Sequence, residues 1–497
     1  MTRSTIGLAL GPVLFILFLI LPIPAGMEPQ AMSVAATAVL MAVWWITEAI
    51  PLPATALLPI LLFPIMGVMS GSDVTQSYAH HLIYLFLGGF LIAVTVEKWN
   101  LHRRIALHTI NLIGVTPDRI ILGFMLATAF LSMWISNTAA TMMMVTIGLA
   151  VLHQIVSEIE QQKTLKVDTR KGYFRFGTAL MLGIGYSASI GGVATLIGTP
   201  PNAILVGVIE TTYGTSISFL DWMMFGFPLS IVMLIITWLY LIHFAYPSEI
   251  DHLPGGREMI NREIIQLGPM LPQERNVLLV FASVACLWIF RGLLDHETFK
   301  MIKDSTIAIG GALLLFIIPS DLKNKEFLLD WKTATTIPWD ILILFGGGFA
   351  LAQGFSESGL THFIAGQLSV LEGSNMVLVV AAIAFLVIFL TEITSNTATA
   401  SLSLPIMAAL AGAMQVHPYG LMITAAIAAS FAFMLPVATP PNAIVFSSRY
   451  ISIPQMVRAG IWLNLIGIVL ITAFVILFLP MIWGLDISTL PVEFAPD

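Results

Sequence analysis

A polar, helix-breaking phrase occurs twice inside long apolar sequence. Ser136-Asn137-Thr138 lies in SMWISNTAATMMM, and Ser395-Asn396-Thr397 lies 259 positions further on in TEITSNTATASLSLPI. Each is followed by a second matched phrase, Gly198-Thr199-Pro200-Pro201-Asn202-Ala203-Ile204 and Ala438-Thr439-Pro440-Pro441-Asn442-Ala443-Ile444. In a bilayer, non-helical backbone survives only where it is buried in protein or lines a cavity. Two such breaks in each half point to a helical membrane bundle with a polar site between two repeats.

Composition agrees. The 497 residues are 58% hydrophobic and 10% charged, against about 25% charged in a soluble domain. The expected fold class is therefore an all-α polytopic membrane protein. The net charge of −7 is confined to short loops and gives no reason to expect a nucleic-acid partner. The first apolar run, about 7–24, has no small-residue cleavage site and reads as a spanning helix rather than a removed signal peptide. Cys286 is the only cysteine, so neither a disulfide nor a cysteine metal cluster is expected.

A spanning helix needs about 20 apolar residues. Qualifying runs fall near 7–25, 32–50, 51–69, 82–99, 174–213, 223–246, 275–294, 305–320, 339–358, 418–448 and 457–484. The runs 118–155 and 373–412 each carry Ser-Asn-Thr near the middle, as re-entrant hairpins would. With a cytoplasmic N-terminus, eleven spans and two hairpins, the cytoplasmic segments hold Arg3, Lys98, Arg103, Arg104, Arg119, Lys163, Lys166, Arg170, Lys171, Arg175, Arg257, Arg262, Arg275, Lys323, Lys325, Lys332, Arg449 and Arg458. Only Arg291, Lys300 and Lys303 fall outside, so 18 of the 21 basic residues obey the positive-inside rule. If the first hairpin spanned once instead, every later loop would flip and the bias would collapse. The tail from Leu485 has no Lys or Arg, which fits the outside.

The repeat extends further. Phe86-Leu87-Gly88-Gly89-Phe90 matches Phe345-Gly346-Gly347-Gly348-Phe349, and Ser132 matches Thr391, at the same offset of 259. Five spans and one hairpin per repeat invert the second copy, so the first hairpin opens inward and the second outward. Segments 100–117 and 359–372 mix polar and apolar residues and read as interfacial amphipathic helices.

Ser, Asn and Thr at a hairpin tip are good caps for the returning helix. A helix N-terminus offers free N–H groups and positive dipole charge to an anion. Side-chain oxygens and freed carbonyls suit a hard cation such as Na+. The paired prolines force an unwound segment and then restart a helix. No phrase contains Lys or Arg. Two facing tips could each take one carboxylate, which favours a small dianion.

With these residues on the page, the chain resembles the divalent anion:sodium symporter family, the INDY-type dicarboxylate and citrate transporters. The match lies in both Ser-Asn-Thr tips, both Pro-Asn loops, and Ala429-Ser430, Phe433, Pro436-Val437-Ala438, Asn442 and Ile444-Val445, and covers essentially the whole chain. The resemblance implies about eleven transmembrane helices and two re-entrant hairpins in two inverted repeats, a homodimer in the cell (inner) membrane, and an elevator mechanism. The scaffold would be 1–117 and 275–372; the moving transport part would be 118–246 and 373–484. A first sodium site would use Ser132, Ser136, Asn137 and Gly198. A second would use Thr391, Thr394, Asn396 and Ala438, partly through carbonyls, with the way Thr394 takes part left open. Substrate carboxylates would meet Asn137, Thr138 and Thr199 on one side and Asn396, Thr397, Thr439 and Pro440 on the other.

The expected activity is sodium-coupled symport of C4-dicarboxylates such as succinate, malate or fumarate. Sodium-independent exchange, or carriage of citrate or sulfate, stays open, because the family includes exchangers that share the tips. A serine hydrolase is disfavoured, since all ten histidines lie outside the four phrases. A channel fits two closed tips poorly. Glu48 and Glu392 are intramembrane carboxylates and so candidates for a role; Glu48 reads as structural, while Glu392 is divided between hairpin structure and ion coupling. His80-His81 has no third ligand in view and is not read as a metal site.

Overall fold

The computed structural model describes residues 2–114, 116–162, 167–250, 256–291 and 301–494. Lys163, Lys166 and Lys300, counted above among the loop cations, lie outside them. Among the described residues the chain is helical, apart from its loops and one small antiparallel ribbon, Pro319–Asp321 with Glu326–Phe327. Nine of the described helices are long and apolar enough to cross a bilayer.

Two of the expected spans are not single long helices. The run 51–69 divides into Leu52–Thr55 and Leu58–Ile65. Pro59 cannot donate the hydrogen bond to the Thr55 carbonyl that would join them. The run 305–320 is the 14-residue helix Asp304–Ile317, and the chain then turns into the ribbon.

Packing between the first two helices follows from two glycines. Arg3–Ile20 exposes most of its side chains, and its buried residues are Gly7 and Gly11. Spaced four apart, they let Pro29–Thr47 approach closely, as small residues do between membrane helices. Trp44 Nε1 donates to the Gly7 carbonyl at 3.1 Å, and a Cβ on Gly11 would stand 2.5 Å from that same nitrogen.

The two segments expected at the interface contain the helices Leu101–Ile113 and Leu360–Leu368. The first buries Leu101, Arg104, Ala106, Leu107 and Ile110. Arg104 is anchored by Glu274, with Nε at 3.1 Å from Oε2, and by the carbonyls of Leu267, Gly268 and Pro269.

Each Ser-Asn-Thr phrase turns a hairpin. The first joins Pro117–Ser132 to Asn137–Gln162, the second Met376–Thr391 to Asn396–Met414. Helix Phe219–Tyr240, 22 residues long and so about 33 Å, locates their bases. Trp238, near its end, donates to the Asp118 carbonyl in the first base. At its start, the Asp221 carbonyl accepts from Trp483, which meets Tyr419 edge-on; a Cβ on the next residue, Gly420, would meet Met376 of the second base. The hairpins therefore enter from opposite ends, and their tips meet in the middle.

Two further helices are interrupted at the same depth. Arg175–Gly192 stops and Pro200–Tyr213 resumes; Pro418–Ala428 stops and Pro440–Ser447 resumes. Each restart places proline in its first turn, where its missing N–H costs nothing.

Candidate binding site between the hairpin tips

The tips and the Pro-Pro loops line one cavity of about 590 Å³. Ser136, Asn137, Thr138, Gly198 and Thr199 stand on one wall; Asn396, Thr397, Ala438, Thr439 and Pro440 stand on the other. Ser132, Thr391 and Thr394 lie behind these walls, fully or nearly fully buried.

Behind each tip is the same arrangement. Ser132 Oγ lies 2.5 Å from the Asn137 side-chain amide and 2.8 Å from the Ala188 carbonyl. Thr391 Oγ1 lies 2.8 Å from Asn396 Oδ1 and 2.9 Å from the Ala429 carbonyl. The orientation that satisfies the Asn137 amide points Nδ2 at Gly198 O, 3.1 Å away, and at Ser132 Oγ, 2.5 Å away, so the Ser132 proton goes to the Ala188 carbonyl. Thr391 carries one proton for its two acceptors.

Glycine is required at the first cluster. A Cβ on Gly192 would stand 2.7 Å from Asn137 Oδ1 and 2.9 Å from Gly198 O, closer than real Cβ contacts. Alanine takes the place of Gly198 in the second loop, where Ala438 N bonds to Leu435 O at 3.2 Å.

Several predicted residues have structural duties. Ser136 Oγ accepts from Ala139 N at 3.2 Å, capping the returning helix. Thr439 Oγ1 accepts from Asn442 N and caps the resumed helix. Thr394 Oγ1 donates to Leu390 O at 2.9 Å and stands 2.6 Å from Thr399 Oγ1. Both contacts of that hydroxyl therefore lie within the hairpin. The asparagines of the Pro-Asn phrases face the loops: Asn202 Nδ2 donates to Thr195 O at 2.8 Å, and Asn442 Nδ2 to Ala432 O and Leu435 O at 3.0 Å each.

Glu392 holds the second loop in shape. Its Oε1 accepts from Phe433 N at 2.7 Å, Met434 N at 2.8 Å and Asn464 Nδ2 at 2.8 Å; its Oε2 accepts from Leu435 N at 3.0 Å. The carboxylate thus binds three successive amides freed by the unwinding.

Sequence reasoning missed the rest of the cavity lining, which includes Leu52, Pro53, Phe86, Phe90, Asp340 and Leu344. The signal for Phe86 and Phe90 was the duplicated glycine phrase; nothing marked Asp340. Glu48, read as structural, lies at the end of Pro29–Thr47 in a left-handed conformation (φ 49°) and also lines the cavity. Among the described residues, no Lys, Arg or His lines it.

A family model for the sodium:sulfate symporter transmembrane region matches residues 3–485. The chain belongs to this family. It is 47% identical over 486 residues to the sodium-dependent dicarboxylate transporter SdcS of Staphylococcus saprophyticus, covering 97% of this chain and 93% of that one. It is 46% identical over 490 residues to the protein of the same name in Staphylococcus aureus, covering 98% and 93%. Two solved structures share the fold at 12% identity: Neisseria gonorrhoeae MtrF, with a TM-score of 0.57 over 94% of this chain and 97% of that one, and the Alcanivorax borkumensis YdaH transporter, with 0.56 over 93% and 100%. As a member of this family the chain is a multi-pass membrane transporter and not an enzyme.

Proposed function

We propose that this protein couples sodium movement to the uptake of a small dicarboxylate, with succinate, malate and fumarate as candidate substrates. The composition of the cavity wall carries this conclusion. Among the described residues it offers the starts of four helices, two acidic side chains and no basic one, with the Ser132 and Thr391 hydroxyls and the Ala188 and Ala429 carbonyls forming oxygen clusters behind it. A dianion entering such a site needs cations beside it, and the oxygen clusters are suited to hold them. The names of both staphylococcal relatives agree.

In detail, one sodium ion takes Ser132, Ser136, Asn137 and Gly198, and a second takes Thr391, Thr394, Asn396 and Ala438. Asn137, Thr138 and Thr199 hold one carboxylate; Asn396, Thr397, Thr439 and Pro440 hold the other. The two halves are inverted repeats of five spans and a hairpin, with the N-terminus cytoplasmic and the C-terminus outside the cell membrane. Segments 118–246 and 373–484 move as one body against 1–117 and 275–372, which also carry a homodimer contact. The opposed hairpins and the matched tip geometry support this division.

Radiolabelled succinate uptake into proteoliposomes, driven by an inward Na+ gradient with a K+ control, tests the proposal. Uptake only with Na+ is the expected result. Uptake that ignores Na+ and requires internal dicarboxylate would make the protein an exchanger. Excess citrate or sulfate that displaces succinate would reassign the substrate.

A further inference from the structure

We propose a further cation site, of the zinc class, formed by His80, His81 and Glu210 at the end of helix His81–Lys98 opposite Lys98. His80 and His81 start helix His81–Lys98, and Glu210 lies near the end of Pro200–Tyr213. The fold supplies the third ligand that is invisible beside the histidine pair in sequence. His81 Nε2 is 2.7 Å and His80 Nε2 is 3.8 Å from Glu210 Oε2, and one ligand atom from each of the three residues falls within 4.8 Å of the others.

The geometry suits a tetrahedral ion. Ligand bonds of about 2.0–2.1 Å put tetrahedral ligand atoms about 3.3 Å apart. The His81–Glu210 pair needs to open, and the His80–Glu210 pair to close, by roughly half an ångström each. Part-exposure of all three side chains leaves a fourth position for water. The His80 ring is steadied by His81 at 4.6 Å and Phe349 at 5.0 Å between centroids. Its Nδ1 accepts a long bond from Leu82 N at 3.4 Å, which is given up when Nε2 binds a metal. Two imidazoles and one carboxylate prefer zinc to the hard cations that all-oxygen clusters take, so this site differs in kind from the oxygen clusters behind the tips.

Lys303 provides a test of sign. Its Nζ lies 3.0 Å from Glu210 Oε1, the oxygen turned away from the histidines. The ammonium competes with a metal for the same carboxylate, so removing it strengthens metal binding. If the four residues form only a polar knot, removing Lys303 does nothing for metal. Bound metal would also tie helix His81–Lys98 to Pro200–Tyr213. On the reading that these belong to the fixed and moving parts, it slows transport; this consequence rests on the proposed function, whereas the site itself does not.

The experiment titrates the full-length protein, purified without a polyhistidine tag, with Zn2+ against a chromophoric chelator in detergent. One Zn2+ per protomer is expected. His81→Ala and Glu210→Gln should each weaken it by more than about tenfold, and Lys303→Gln should tighten it. Unchanged binding in the His80→Ala, His81→Ala double variant overturns the site, as does weaker binding in Lys303→Gln. Lys303 is half exposed, so its variant keeps the test decisive if a histidine variant fails to fold. Uptake measured with external Zn2+ is a separate arm. Binding without inhibition keeps the site and counts against the moving division; loss of both removes the site.

Discussion

Replacing Glu392 separates a carboxylate that shapes the site from one that carries a proton. Glu392 is 3% exposed and receives four donors, three of them backbone amides of the unwound loop. In Glu392→Gln, the remaining oxygen can keep the three donors now at Oε1. The new amide group faces Leu435 N, so one bond is lost and two donors oppose each other, at about 1–3 kcal/mol. If that penalty falls on the site-competent loop, it corresponds to about a 5–150-fold loss of apparent affinity. Glu392→Ala strands all four donors, for a cost several times larger. The loop leads directly to Ala438 and Thr439, so the damage should appear as weaker apparent sodium affinity. The order expected in thermal unfolding of the purified protein, and in sodium-dependent uptake, is wild type, then Gln, then Ala. An alanine variant with wild-type unfolding temperature and sodium dependence would refute the structural role. So would a glutamine variant that is fully stable but inactive at every pH, since that is the signature of a proton carrier.

Four further outcomes are expected. Asn137→Ala and Asn396→Ala should each abolish or severely reduce sodium-driven succinate uptake; wild-type uptake in either sinks the assignment of the tips. Gly192→Ala should lower sodium affinity while leaving the protein folded, because its Cβ would press on Asn137 Oδ1 at 2.7 Å; an unchanged sodium titration would contradict this. Arg104→Ala should destabilise the protein by about 3–5 kcal/mol, the usual cost of leaving a buried charge, here Glu274, without its partner, and denaturation of the detergent-solubilised protein measures it. Asp330, in a loop outside the spans, is held well below the usual carboxylate range by Lys98 at 2.6 Å and by the Thr333 amide. Its stabilising effect is fully present above the ordinary Asp value of about 3.9 and is lost as pH falls through the lower folded value. The unfolding temperatures of wild type and Asp330→Asn should therefore differ at pH 7 and converge under strong acid.

The tips and breaks were legible because unpaired backbone is costly at membrane depth, so Ser-Asn-Thr and Thr-Pro-Pro-Asn stand out against apolar runs. Their duplication gave the pairing of hairpins with interrupted helices. Run lengths were less informative where proline accumulates, as in 51–69, since hydropathy does not register a missing N–H. The rest of the cavity lining was hidden for a different reason: Leu52, Phe90 and Leu344 are chemically identical to core residues, and only the fold shows what they face. Partnerships such as Glu392 with Asn464, 72 positions apart, and the histidine pair with Glu210 leave no local pattern. The loop asparagines were visible, but their duty of lashing the unwound backbone was not.

Asn137 has two chemically opposite ends on one rigid plane. The orientation that satisfies the amide commits Nδ2 to Gly198 O and Ser132 Oγ. On the proposed reading, a sodium ion at that cluster needs the amide oxygen there instead, so its binding turns the amide over and frees the nitrogen as a donor to an incoming carboxylate. The two solutes then need not touch to depend on each other. Rotation of a single uncharged group would make the affinity for one conditional on the presence of the other, and would disfavour a half-loaded site.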